Sequence, residues 1–180
     1  IDIYQCHWPD PDTPVEETLT TISDLKKEGK IRYIGLSNYS VKQLSEAVKY
    51  VRIVTLQNQY SLLERAIEKE VVSFCQENGI SIITYGSLAG GILSGKYDTE
   101  PKFAGGDARN FFYKFYKGGN FKVAQQTVNA LREISNRTKQ PINQIALNWI
   151  WQKKGIASAI VGCRNIDQAR ANAAAAACKL

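Results

Sequence analysis

The chain has 180 residues, 44% of them hydrophobic and 22% charged, which suits a globular domain with its own core. Thirteen glycines and five prolines exclude a collagen-like or Pro/Gly-dominated disordered chain, and no run approaches the roughly 18 apolar residues of a membrane span. The net charge of +6 admits either a solvated basic surface or a phosphate-bearing cofactor, and no contiguous basic stripe or known module points to nucleic acid.

The predicted elements alternate. Ile1–His7 carries strand-forming residues. Pro14–Glu28 reads as a helix with Thr13 as N-cap, Pro14 in the first position and Glu16 in the first turn. Val15, Leu19, Ile22 and Leu25 give it helical spacing, and Gly29 ends it. Ile31–Leu36 reads as a second strand and Val41–Tyr50 as a helix capped by Ser40. Ile53–Gln57 is the third strand, Ile67–Asn78 a helix closed by Gly79, and Ile80–Tyr85 a fourth, almost wholly apolar strand. Apolar runs of this kind suit parallel strands covered on both faces. Residues 86–119, rich in Gly, Lys and aromatics, read as a long loop, the kind that often serves as a lid over cofactor or substrate. Helices follow at Phe121–Arg137 and Ile142–Lys153, then a strand at Ser158–Val161 and a helix from near Ile166 into an Ala-rich end. Five βα units are too few for a closed eight-stranded barrel, which takes about 250 residues. The expected architecture is therefore α/β, either an open parallel sheet or the latter part of a barrel.

Cys6, Cys75, Cys163 and Cys178 stand far apart and His7 is the only histidine, so no metal-ligand spacing exists and the cysteines are expected to be reduced thiols of a cytoplasmic protein. No membrane or nucleic-acid partner is expected. The chain contains no Met, which suggests part of a longer protein.

Ligands of parallel α/β folds bind at the C-terminal ends of the strands. Those ends carry His7 with Trp8, then Ser37 and Asn38, then Gln57 and Asn58, then Tyr85 before Gly86-Ser87-Leu88-Ala89-Gly90-Gly91, and last Gly162, Cys163 and Arg164. Neutral hydrogen-bonding groups, an aromatic plate, glycine-rich backbone and a guanidinium fit a flat, amide-bearing ring with phosphates attached. Each also has a plainer role: Ser37–Asn38 as turn and helix cap, Tyr85 as core, Arg164 as a solvated loop cation.

The same residues carry a resemblance. His7-Trp8-Pro9-Asp10, the run from Gly29 to Asn38, the run from Gln57 to Arg65, and Tyr85 to Ala89 are similar, in this order, to the aldo-keto reductases. Gly162-Cys163-Arg164 with Gln168 and Asn172 resembles that family's adenosine-phosphate loop and helix. The resemblance covers essentially all 180 residues. It implies a partial (β/α)8 TIM barrel running from the fourth strand to the eighth helix, with the N-terminal strands missing, and a single incomplete barrel domain over residues 1–180. It implies an NADP(H)-dependent oxidoreductase that reduces aldehydes or ketones, with a small-molecule carbonyl substrate. By the resemblance His7 is catalytic, holding the carbonyl oxygen. Ser37, Asn38 and Gln57 hold the nicotinamide carboxamide and Tyr85 stacks on its ring. Ser87, Leu88 and Gly90 approach the pyrophosphate; Gly162, Arg164, Gln168 and Asn172 grip the adenosine end, with Arg164 at the 2′-phosphate.

Three departures from the family pattern bear on that grip. Cys163 stands where many relatives have Ser or Thr, Gly162 where some have Lys, and Gly86-Ser87 replaces the more usual Ser-Pro. The family's remaining catalytic Asp, Tyr and Lys lie on earlier strands, and no residue of this chain matches them, so the 180 residues alone are expected to be inactive. Potassium-channel β-subunits, which resemble the same family and bind the cofactor without needing catalysis, are the alternative.

Overall fold

In a computed structural model, which describes residues 1–178, the apolar runs form parallel strands. The sheet holds β1 (Ile3–Cys6), β2 (Tyr33–Ser37), β3 (Ile53–Gln59), β4 (Ser81–Tyr85) and β5 (Ile156–Ala159), in sequence order. The first three pairings are parallel, with Gln5 beside Gly35, Ser37 beside Gln57, and Gln59 beside Tyr85. The α/β class and the parallel sheet are as the sequence implied.

The chain divides into two compact units. The first holds residues 1–59, 66–85 and 155–158. Within it α1 (Val15–Lys27) packs on β2 and on α2 (Val41–Ala47), while α3 (Val71–Glu77) packs on β4. Leu19, Leu36, Leu44, Leu56 and Ile82 are fully buried between sheet and helices. Each such side chain contributes about 1.5–3 kcal/mol by leaving water.

Gly29 and Gly79 close α1 and α3 in the same way. Both are left-handed, at φ 73° and 64°. After α1, the Gly29 N–H donates to Lys26 O and the Lys30 N–H to Leu25 O; after α3, the Gly79 N–H donates to Gln76 O and the Ile80 N–H to Cys75 O. These paired reverse bonds satisfy the last carbonyls of each helix. Ser40 caps α2 with a reciprocal bond pair to Gln43, as its position predicted.

The second unit holds residues 60–65, 86–154 and the segment from 159 onward. It contains α4 (Arg109–Phe112), α5 (Asn120–Thr138), α6 (Ile142–Trp151) and α7 (Ile166–Ala174). Its core joins Ala89, Ile92, Leu93, Phe115 and Tyr116 to Val128, Leu131, Ile145 and Ala146 of α5 and α6. Among the described residues no helix is long and apolar enough to cross a membrane.

Several boundaries differ from expectation. Thr13 does not cap α1: its hydroxyl donates to Asp10 Oδ2, and Pro14 occupies the cap position without a side-chain bond. The helix expected over 67–78 splits into a 3-10 turn, Ala66–Glu68, and α3, because Glu70 leaves helical geometry at φ −139°. The α2 helix stops at Ala47, beyond which Lys49 and Tyr50 make tighter turn bonds to Glu46 and Ala47. The β5 strand lies two residues earlier than Ser158–Val161. The stretch 86–119 is not featureless: it holds 3-10 turns at Ala89–Ser94 and Lys114–Tyr116 as well as α4.

Candidate functional site

In the first unit the parallel register brings the strand ends side by side. Ser37 is the last residue of β2, Tyr85 the last of β4, and Gln57 lies near the end of β3. Asn38 is left-handed, at φ 64°, a region that Asn tolerates better than most residues. That turn makes it the hub of the cluster. Its N–H is shared by Gln57 O at 3.0 Å and Asn58 Oδ1 at 3.1 Å. Its Nδ2 donates to His7 O at 3.1 Å and to Ser37 Oγ at 3.0 Å. Its Oδ1 accepts from the Tyr85 hydroxyl at 2.8 Å. Ser37 is buried and donates to Gln57 O at 2.9 Å. Gln57 Oε1 accepts from Gln5 Nε2 at 3.1 Å. His7, Ser37, Asn38, Gln57 and Tyr85 therefore form one connected network, with the His7 side chain exposed just past β1.

The bonds left open define what the cluster can bind. The Asn38 amide hydrogens and the Ser37 hydroxyl hydrogen are spent, whereas Gln57 Nε2 donates to no described residue. One lone pair each remains on Ser37 Oγ and Asn38 Oδ1. A donor beside two acceptors is the complement of a primary carboxamide, which offers one carbonyl oxygen and one NH2 group. The residues present fit a nicotinamide amide.

Next to the cluster, the buried Tyr39 hydroxyl lies 3.1 Å from Cys6 Sγ, and desolvation together with that contact raises the phenol well above its ordinary pKa.

In the second unit a hydrogen bond joins the loop after β4 to the segment after β5. The buried Ser87 hydroxyl donates to Ile160 O at 3.0 Å, so it serves the backbone. Leu88 and Ala89 lead into left-handed Gly90 and Gly91, at φ 67° and 105°. Tyr113 lies against Gly90, where a Cβ would come within 2.9 Å of its ring, and the Tyr116 hydroxyl donates to Gly90 O. Gly162 and Arg164 are exposed. The Arg164 N–H donates to Gln168 Oε1 at 2.9 Å, the Gln168 N–H to Asn165 Oδ1 at 2.9 Å, and Asn172 Oδ1 accepts from Asn143 at 3.3 Å. Arg164 is thus an exposed cation beside the start of α7, as Arg170 is within it, while Gln168 and Asn172 also hold the start and body of α7.

Sequence reasoning missed two features here. Lys96 Nζ lies 3.2 Å from where a Cβ on Gly91 would stand, which places a cation beside the glycine backbone. The Gly95-Lys96 pair closing the glycine-rich stretch was the available signal. Asp107 and Arg109 form an ion pair at 2.5 Å, with Arg109 also bonded to the Tyr97 hydroxyl and lying 3.9 Å above the Phe103 ring. Arg109 holds the Asp107 carboxyl well below the usual carboxylate range, and Arg164 adds to the effect.

Comparison with known proteins accords with this chemistry. The Aldo/keto reductase family model matches residues 1–180. The chain is 38% identical over 172 residues to aldo-keto reductase YhdN of Bacillus subtilis, covering 95% of this chain and 52% of that protein. It is 33% identical over 178 residues to the NADH-specific methylglyoxal reductase of Escherichia coli, covering 97% of this chain and 54% of that protein. Among solved structures, the glycerol dehydrogenase AKR11B4 of Gluconobacter oxydans superposes with a TM-score of 0.80 at 25% identity, over 98% of this chain and 57% of that one. The chain spans about half the length of the curated relatives it matches. On the family model and these identities, the chain belongs to the aldo/keto reductase family.

Proposed function

We propose that the protein containing these residues is an NADP(H)-dependent reductase of aldehyde or ketone carbonyls. The observation that carries this is the hydrogen-bonded cluster built around Asn38, whose open groups complement a carboxamide. Gln57 Nε2 would donate to the carboxamide oxygen, and Ser37 Oγ and Asn38 Oδ1 would accept from its NH2. Tyr85, its hydroxyl held by Asn38, would offer its ring to the nicotinamide face. Bound NADPH supplies the hydride that adds to the carbonyl carbon. His7, held through its backbone oxygen by Asn38, would donate a hydrogen bond to the carbonyl oxygen as charge develops there.

For the second unit, the Leu88–Gly91 backbone and Lys96 would face the phosphates, and Arg164 the 2′-phosphate. Gly162, Ser87, Gln168 and Asn172 would shape that end mainly by holding the chain. Within 86–119, Leu93, Phe115 and Tyr116 are core residues, so lid movement would be confined to the more exposed stretch between them. The sheet would form the later part of an eight-stranded barrel, as the resemblance implies.

The test is a titration with NADPH, followed by its fluorescence, together with reduction of model aldehydes by the protein as the cell makes it. Saturable binding and carbonyl-dependent NADPH oxidation are expected. The 180 residues purified by themselves should show no such oxidation, because His7 is the only member of the family's catalytic set that they match. A protein that binds neither NADPH nor NADH would refute the proposal, and steady turnover by the 180 residues would refute the assignment of the missing roles.

A further inference from the structure

Gln57 can turn either end of its amide to a ligand, and only one end complements a carboxamide oxygen. Gln5 sets which. Its Nε2 donates to Gln57 Oε1 at 3.1 Å, so the Gln57 carbonyl is engaged within the sheet and its NH2 is left as the open donor.

Gln5 can take this position because of Gly35. The pairing sets Gln5, Gly35 and Thr55 in one row across β1, β2 and β3. Gly35 is not left-handed, so backbone conformation does not call for glycine there. Space does: a Cβ would overlap Thr55 Oγ1 and come within 2.9 Å of Gln5 Oε1. The missing side chain is the slot in which the Gln5 amide lies.

At the far end of the slot, Gln5 Oε1 and Thr55 Oγ1 are both buried and pair with no described residue. One is an acceptor and the other carries a donor hydrogen, so a small rotation or one shared water joins them. The row then runs as a chain of donors from Thr55 to Gln5 to Gln57. Burying polar atoms in this way costs free energy that an apolar side chain in the same slot would not. Packing alone therefore does not account for an amide at this position.

We propose that Gln5 is a positioning residue that fixes the amide orientation of Gln57, with Gly35 opening its slot and Thr55 anchoring its far end. The inference rests on the proposal that Gln57 contacts the nicotinamide carboxamide, and it deepens that proposal.

The experiment measures dissociation constants of NADPH and of 2′,5′-ADP, which lacks the nicotinamide, for the protein as the cell makes it. Gln5→Leu should weaken NADPH about three- to tenfold, the effect of one net hydrogen bond, and leave 2′,5′-ADP unchanged. Gly35→Ala should give the same pattern by crowding the slot. The double variant Gln5→Leu/Gln57→Leu should bind NADPH no more weakly than Gln57→Leu alone, because Gln5 acts through Gln57. If Gln5→Leu does not fold, Gln5→Glu keeps the shape but offers only acceptors when ionised; it should reverse the Gln57 amide and weaken NADPH selectively. Unchanged NADPH binding in the folded variant, equal weakening of both ligands, or losses that multiply in the double variant would overturn the inference alone. A wild-type protein that binds 2′,5′-ADP but not NADPH, or binds neither, would overturn the underlying proposal and this one with it.

Discussion

At the residue scale, much of the candidate site depends on Asn38, whose side chain joins His7, Ser37 and Tyr85 while its N–H is held by the β3 end. Asn38→Ala removes three side-chain bonds and leaves a left-handed residue without the local bonding that makes that conformation tolerable. It should cost about 2–4 kcal/mol in urea denaturation. Tyr85→Phe removes a single hydroxyl donor and should cost about 0.5–1.5 kcal/mol while keeping the ring; equal losses in the two variants would contradict the hub role. A different residue-scale test concerns Asp107. Its carboxyl is held below the ordinary range by Arg109, so its pKa rises on unfolding. The stability it contributes is fully present above the unfolded value near 4 and is lost as pH falls through the lower folded value. The melting-temperature gap between wild type and Asp107→Asn should be constant above about pH 5 and shrink on acidification. A gap that widens toward acid would reverse the sign and exclude the ion pair as its source.

At the scale of the element, the two helix ends closed by glycine were written most plainly, while the start of α1, the start of α3 and the end of α2 were not. Gly29 and Gly79 close α1 and α3 with positive φ and with open space where a Cβ would stand. The penalty for Ala at either position is therefore purely conformational, about 1 kcal/mol each. Gly105 also has open space but no positive φ, and Gly105→Ala should be neutral or slightly stabilising. Thermal melts of the three variants check the contrast, and a loss at Gly105 equal to the others would contradict it. The strands were legible because covered parallel strands are apolar on both faces. The weaker case was β5, where Ile156-Ala157-Ser158-Ala159 carries little apolar signal; a slide of two residues preserves the alternation of faces, so the pattern could not fix its start. The turns within 86–119 were hidden because Gly90, Gly91 and Gly95 bend the chain without helical periodicity. The strand-end polar residues could be read from one stretch of sequence at a time. Gln5 could not, since its place depends on a gap at Gly35 and a hydroxyl at Thr55, each on another strand.

At the scale of the whole molecule, the basic excess bears on which dinucleotide the proposed reductase would prefer. The relatives leave both open, since one of them is named for NADH. Within this chain, Arg164 is an exposed guanidinium on the segment after β5, and its charge reaches Asp107, one anion that could compete for it. Asp107 is already bonded to Arg109 through both carboxylate oxygens, so its hold on Arg164 is the lesser one. On the proposed function the guanidinium would face a phosphate, which it can engage in fork geometry. Arg164→Ala should weaken NADPH about tenfold or more and leave NADH nearly unchanged, because only NADPH carries the 2′-phosphate. The exposed pairing should also be screened, so the preference for NADPH that the proposed function calls for should fall as salt rises from about 50 to about 500 mM. Dissociation constants for both dinucleotides at the two salt concentrations decide the matter. A ratio that is the same in wild type and variant would move the 2′-phosphate contact elsewhere, with Lys96 the next cation to replace.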